Sequence, residues 1–254
     1  MRRQYLLASA AAIALAAPAF AAEPPPYVPP PAPIFTWTGL YIGGQIGGAW
    51  GRDPTVVSGF VPPILFFSGF NNNPSGVIGG AHIGYNLQIN QWVAGIEGTV
   101  DGTSLSRTSI DPFTAMAVRT REQVQGSVRG RLGIAFDRVL IYGTGGAAFT
   151  GIDNDYFDTT GFVTGFPGTL ERVSRTRSGW TAGGGLEYAL TDAWSIGAEY
   201  RYSDFGHYVD YPFAFFVPLG GLFAVQHHLT EHQVQFRFSY KFVTSPFAPV
   251  AAKY

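Results

Sequence analysis

The stretch QVQFRFSYKF, residues 233–242, alternates without a break. Val234, Phe236, Phe238, Tyr240 and Phe242 fall on one side of an extended chain, and Gln233, Gln235, Arg237, Ser239 and Lys241 on the other. A period of two over ten residues predicts a β-strand. A face of Phe and Tyr backed by Arg and Lys suits the core of a soluble sheet. It also suits a barrel with lipid outside and a polar interior, although from this stretch alone the soluble reading is favoured because such strands are common in ordinary sheets.

Six earlier stretches repeat the pattern, and a seventh is extended but apolar on both faces. Residues 38–51 set Leu40, Ile42, Ile46 and Trp50 against Tyr41 and Gln45. Residues 76–89 set Ala81, Ile83, Tyr85, Leu87 and Ile89 against His82, Asn86 and Gln88. Residues 92–100 place Glu97 and Thr99 opposite Trp92, Ala94, Ile96 and Val100, and residues 124–136 place Ser127, Arg129 and Arg131 opposite Val128, Leu132, Ile134 and Phe136. Residues 178–190 and 194–202 continue the theme with Glu187, Glu199 and Arg201 on the polar side. The stretch 139–150 is apolar on both faces, and its facing stays open. No segment has a 3.6-residue period, so the domain reads as all-β with eight strands.

The connections separate the two solvents. Asn90-Gln91, Asp137-Arg138 and Thr191 to Ala193 are minimal, and they alternate with long connections at 52–75, about 101–120, about 154–174 and about 204–227. Short turns at one end, long loops at the other and an even strand number predict an antiparallel up-and-down transmembrane barrel, with periplasmic turns and extracellular loops. Trp37, Trp92 and Trp194 fall beside the short turns, and Trp50 and Trp180 beside the long loops. All five are expected in aromatic girdles at the membrane interfaces.

Composition sharpens this picture. Only 13% of residues are charged, the net charge is −1 and there is no cysteine. Nothing suits a nucleic-acid surface, a disulfide framework or thiolate chemistry. The opening MRRQYLLASAAAIALAAPAFA has the arginines, apolar run and A-x-A end of a secretory signal over residues 1–21. Residues 22–36 carry seven prolines in fifteen positions and read as a semi-rigid periplasmic linker. The barrel is expected over 37–242 and a periplasmic tail over 243–254.

The inward charges are the distinctive chemistry. Glu97, Glu187 and Glu199 face the interior, as do Arg129, Arg131, Arg201, Arg237 and Lys241. Most lie four to eight residues from a short turn, so they are expected to form a belt near mid-membrane. Unpaired charges there are very costly, which predicts a salt-bridged network. The alternative is a charged selectivity constriction. Eight strands leave an interior just wide enough for side chains, which favours a plug.

Other candidates are weaker. GTGGAA at 143–148 matches a dinucleotide fingerprint, but loop-like sequence follows where a helix is needed. His228 and His232 would lie about 13 Å apart along a strand, too far for one metal. With His82, His207 and His227 they complete the histidines, and His228 and His232 are assigned to the extracellular rim. No catalytic residue, metal or cofactor is expected. A lipid-modifying enzyme using His227, His228 and His232 near Ser178 or Ser203 is kept as an alternative.

FTWTGLYIGGQIGGAWG at the first strand, VRGRLGIAFDRVLIYGTGGAAF in the middle and FRFSYKF at the end resemble the RopB-like small outer-membrane β-barrel proteins of alphaproteobacteria. The resemblance spans about 37–242. It implies an eight-stranded barrel in the outer membrane of a Gram-negative cell, of a family often labelled porin-like without a defined substrate. It also implies an assembly-signal strand, here Phe236, Phe238, Tyr240 and Phe242, with either Phe242 or Tyr254 as its end. The sequence departs from the family in its apolar loops and in its tail VTSPFAPVAAKY.

The expected role is structural and interfacial, with a small-solute porin as the first alternative. Expected partners are outer-membrane lipids, lipopolysaccharide and the barrel-insertion machinery, around a monomer. The loops 60–70 and 208–226 are rich in Phe, Leu and Val. They should extend the barrel as a hairpin with a turn at Pro218 to Gly221. There they either form a lid or bind an envelope or host-surface partner.

Overall fold

A computed structural model of the chain describes residues 35–61, 64–214 and 223–242; the signal, most of the linker, the tail and the Pro218–Gly221 turn lie outside them. Eleven strands are present: β1 Gly39–Arg52, β2 Pro54–Val61, β3 Ile64–Asn71, β4 Ser75–Ile89, β5 Trp92–Thr103, β6 Ser106–Ile110, β7 Met116–Phe136, β8 Val139–Asp158, β9 Thr169–Ala189, β10 Trp194–Asp210 and β11 Phe223–Lys241. Eight of them form an antiparallel ring in the order β1-β4-β5-β7-β8-β9-β10-β11, closed by β1 against β11. Closure satisfies the backbone at both edges, the condition for crossing lipid as strands.

The short turns follow from local chemistry. Asn90 and Asp137 take positive φ, 55° and 51°, a conformation that Asn and Asp tolerate in two-residue hairpins. In the third turn, the Thr191 hydroxyl accepts hydrogen bonds from the amides of Ala193 and Trp194 at 3.2 and 3.0 Å. On the outer face, apolar side chains run from Leu40 to Trp50 on β1, from Val124 to Phe136 on β7, from Trp180 to Tyr188 on β9 and from Val234 to Phe238 on β11. That is the lipid-facing band.

The strands outrun this band. Much of the chain expected to be loop between about 101 and 227 is strand. β8 has 20 residues, which at a usual tilt spans about 50 Å against an apolar band of about 25 Å. Above the band the outward positions become charged and pair across strands. Asp155 accepts from Arg121 at 2.8 Å and from Arg172 at 2.6 Å. These charges hide the alternation from a reader looking for apolar faces. The segment 60–70 lies largely in the β2–β3 hairpin, which pairs with β11 from Phe223↔Gly59 to Gln226↔Val56. GTGGAA lies wholly within β8, so no helix follows it. A Cβ on Gly146 would come within 2.1 Å of the Val128 carbonyl. That glycine serves close strand approach.

Candidate functional site

The inward faces stack in layers. At the short-turn end Trp37 packs with Val93, Ala135, Leu140, Tyr142 and Ala189. Its indole N–H donates to the Asp137 carbonyl at 3.1 Å, and its amide donates to Gln88 Oε1 at 2.8 Å. This corrects the expectation for Trp37: it is 4% exposed and lies inside the mouth, whereas Trp50, Trp92, Trp180 and Trp194 are 40–57% exposed on the outer face. Trp37 precedes β1, so strand alternation does not dictate its side. Phe236, Phe238 and Phe242 face outward, and Trp194 stacks on Phe238 at 4.7 Å between ring centroids.

The charged layer follows. Arg129 donates to Glu97 Oε1 and to Glu199 Oε1, both at 2.5 Å. Arg237 donates to the second oxygen of each of the same two carboxylates. Each carboxylate also accepts a tyrosine hydroxyl at 2.9 Å, Tyr41 on Glu97 and Tyr142 on Glu199. Arg131 pairs with Glu187 at 2.7 Å and lies 3.6 Å from the centre of the Tyr142 ring. Arg201 contacts Glu199 at 3.1 Å and approaches Asp101 at 3.7 Å. All eight charged groups are buried.

Lys241 does not join this layer. Although its parity points inward, it ends β11 at the mouth. There its amine donates to the Thr36 carbonyl and sits 4.4 Å from the centre of the Phe35 ring. Asp101 takes its place, and four carboxylates then face four guanidiniums. Asp101 was missed because it lies one residue past the stretch read as strand. Tyr142 was missed because that strand gave no facing. His82 also belongs here, bonded to Gln45 at 3.0 Å and to Ser239 at 2.8 Å.

Above the arginines the chemistry turns acidic. Gln125 donates one amide nitrogen to both Glu122, at 3.0 Å, and Glu231. Gln233 links Gln125 at 2.7 Å to Glu231 at 3.1 Å. Both carboxyls are buried. Higher still, His227 bonds Asp53 at 2.8 Å and Tyr156 at 2.9 Å. A cluster of Val57, Phe66, Met116, Val118, Tyr156, Val163, Phe213, Phe223 and Val225 covers this layer.

The histidines separate. His82 and His227 are buried inside, His232 faces out between Trp50 and Tyr200, and His207 stacks on His228 outside. Among the described residues, neither Ser178 nor Ser203 hydrogen-bonds a histidine; Ser203 donates to Thr181 at 3.0 Å.

A closed antiparallel ring of eight strands, apolar outside and charged inside, with short turns at one end, defines the class of outer-membrane β-barrels. The chain belongs to the family described as outer membrane protein beta-barrel domain, whose model matches residues 7–242. It is 31% identical to the 31 kDa outer-membrane immunogenic protein of Brucella melitensis, over 80% of this chain and 88% of that one. It is 33% identical to the 25 kDa outer-membrane immunogenic protein of Brucella ovis, over 82% and 92%. It is 29% identical to the 22 kDa outer membrane protein of Rhizobium leguminosarum, over 69% and 68%. These relatives are small alphaproteobacterial outer-membrane barrels, and the chain is an outer-membrane protein.

Proposed function

We propose that this barrel is a structural and surface-presenting element of the envelope, closed to solutes and without a catalytic role. The observation that carries the reading is the clamp of Glu97 and Glu199 between Arg129 and Arg237, each charged group 3% exposed or less. A conducting pore holds its charges in water, whereas here opposite charges neutralise one another across the interior. The Trp37 cluster below and the apolar cover above support two further barriers.

The work then falls to the outside. Outward arginines above the lipid band, Arg52, Arg107, Arg119, Arg121 and Arg172 among them, suit the phosphates of lipopolysaccharide. The β2–β3 hairpin turns Leu65 and Phe67 to solvent, Phe67 at 71% exposure, and suits a protein partner of the envelope or a host surface. Planar-bilayer recording tests the central point. Purified protein should give no stable steps, and steps of uniform size in the wild type would overturn the closed-barrel reading in favour of a small-solute porin.

A further inference from the structure

The upper wall has a notch. The ladder between β9 and β10 ends at Trp180↔Asp204, while β8–β9 continues to Thr169 and β10–β11 to Asp210. The notch begins where β10 is bulged. Its register against β11 shifts between Asp204 and His207, with Gly206 at φ 71°. Below the bulge, Glu199, Arg201, Ser203 and Phe205 point inward; above it, Tyr208 and Asp210 do. One extra residue therefore reverses the parity of the strand. Its effect is to put Asp204 and His207, which the regular pattern would send to opposite faces, together on the outside.

His228 stands directly across from His207 on β11. The two imidazoles are stacked, with centroids 3.9 Å apart and planes 19° apart. His228 Nε2 lies 3.4 Å from Asp204 Oδ1. All three side chains line an open pocket with Ser178 and Trp180.

We propose that His207, His228 and Asp204 form a surface site for a divalent transition-metal ion of the zinc, nickel or copper type. Two imidazoles and one carboxylate are the donor set such ions take, leaving a position for water. Two nitrogens on one such ion sit about 3.3 Å apart, a separation within reach of rings whose centres are 3.9 Å apart. Among the described residues no three such ligands already converge on one point. The rings lie face to face and must turn edge-on to share an ion. They do so in an open notch, where side-chain torsions move between staggered wells without displacing a core. Bound metal would tie β10 to β11 just above the Trp180 girdle.

The test is calorimetric titration of zinc chloride and nickel chloride into untagged, refolded protein in detergent micelles at neutral pH. One metal per barrel is expected, with affinity falling about tenfold or more in His207→Gln and in His228→Gln. Asp204→Asn should weaken binding, and His232→Gln, which alters an outward histidine elsewhere on β11, should leave it unchanged. Unheated gel mobility confirms that each variant is folded. No saturable binding by the wild type would overturn the proposal. So would binding that survives both His207→Gln and His228→Gln, or that His232→Gln removes as well.

Discussion

Glu97 and Glu199 occupy equivalent places in the two halves of the barrel. Each is held by Arg129 on one oxygen and Arg237 on the other, and each accepts one tyrosine hydroxyl at 2.9 Å. The strands that carry them correspond too: β5 and β10 stand four places apart in the ring of eight, as do β1 and β8 for the tyrosines and β7 and β11 for the arginines. The sequence repeats accordingly. Trp92-Val-Ala-Gly-Ile-Glu97 matches Trp194-Ser-Ile-Gly-Ala-Glu199 in its tryptophan, glycine and glutamate.

This equivalence makes a quantitative prediction. Glu97→Gln and Glu199→Gln should destabilise the barrel by similar amounts, on the order of 3–5 kcal/mol, because each leaves guanidinium charge buried without its partner. Arg138→Ala removes an exposed pair with Asp192 and should cost under about 1 kcal/mol. Melting followed by the gel-mobility shift of folded barrels ranks the three. Equal melting points for all would remove the case for a network that matters.

The tyrosines need room, and glycines give it. A Cβ on Gly84 would stand 2.4 Å from the Tyr41 hydroxyl oxygen and 2.7 Å from the Ile96 carbonyl, and one on Gly185 would stand 2.5 Å from the Ala198 carbonyl and 2.6 Å from the Tyr142 hydroxyl oxygen. Gly84→Ala and Gly185→Ala should therefore cost about 1–3 kcal/mol by overpacking. Tyr41→Phe and Tyr142→Phe should each cost roughly 1 kcal/mol through the lost hydrogen bond. Urea titration in micelles measures both pairs. A tolerated alanine at either glycine would show that both the ring and the facing strand can give way.

The apolar cover and the apolar hairpin surface should come apart under mutation. Phe66 is buried in the cluster over the barrel, while its neighbour Phe67 faces solvent. Phe66→Ala should cost about 3–5 kcal/mol of local stability and speed hydrogen exchange of Phe223 to Gln226, which pair with β2. Phe67→Asp should leave that exchange slow. If both speed it alike, the two faces are not distinct.

The number of strands in the ring, the order of turns and the side taken by most interior charges were legible because alternation against lipid is a simple rule. Where that rule is silent, the sequence was silent too. Residues 139–150 are apolar on both faces, so Tyr142 could not be sent inward. Trp37 lies before its strand, and only its hydrogen bonds to Asp137 and Gln88 set its place. Lys241 obeys the parity but sits at the last rung, where water reaches it. The bulge at Gly206 reverses the count with one residue, and nothing flanking it announces the reversal. The repeated Trp-x-x-Gly-x-Glu is readable in the sequence itself and sets Glu97 and Glu199 in equivalent places.

The ring is shut by its last strand meeting its first, and Arg237, one of the four corners of the clamp, rides on that strand. A chain lacking these nineteen residues would hold Glu97 and Glu199 with one guanidinium between them and two open edges in lipid. Closing the wall and balancing the charge are therefore a single event. The barrel carries a built-in proof of completeness: a chain without its last strand has neither a closed wall nor the Arg237 half of its clamp.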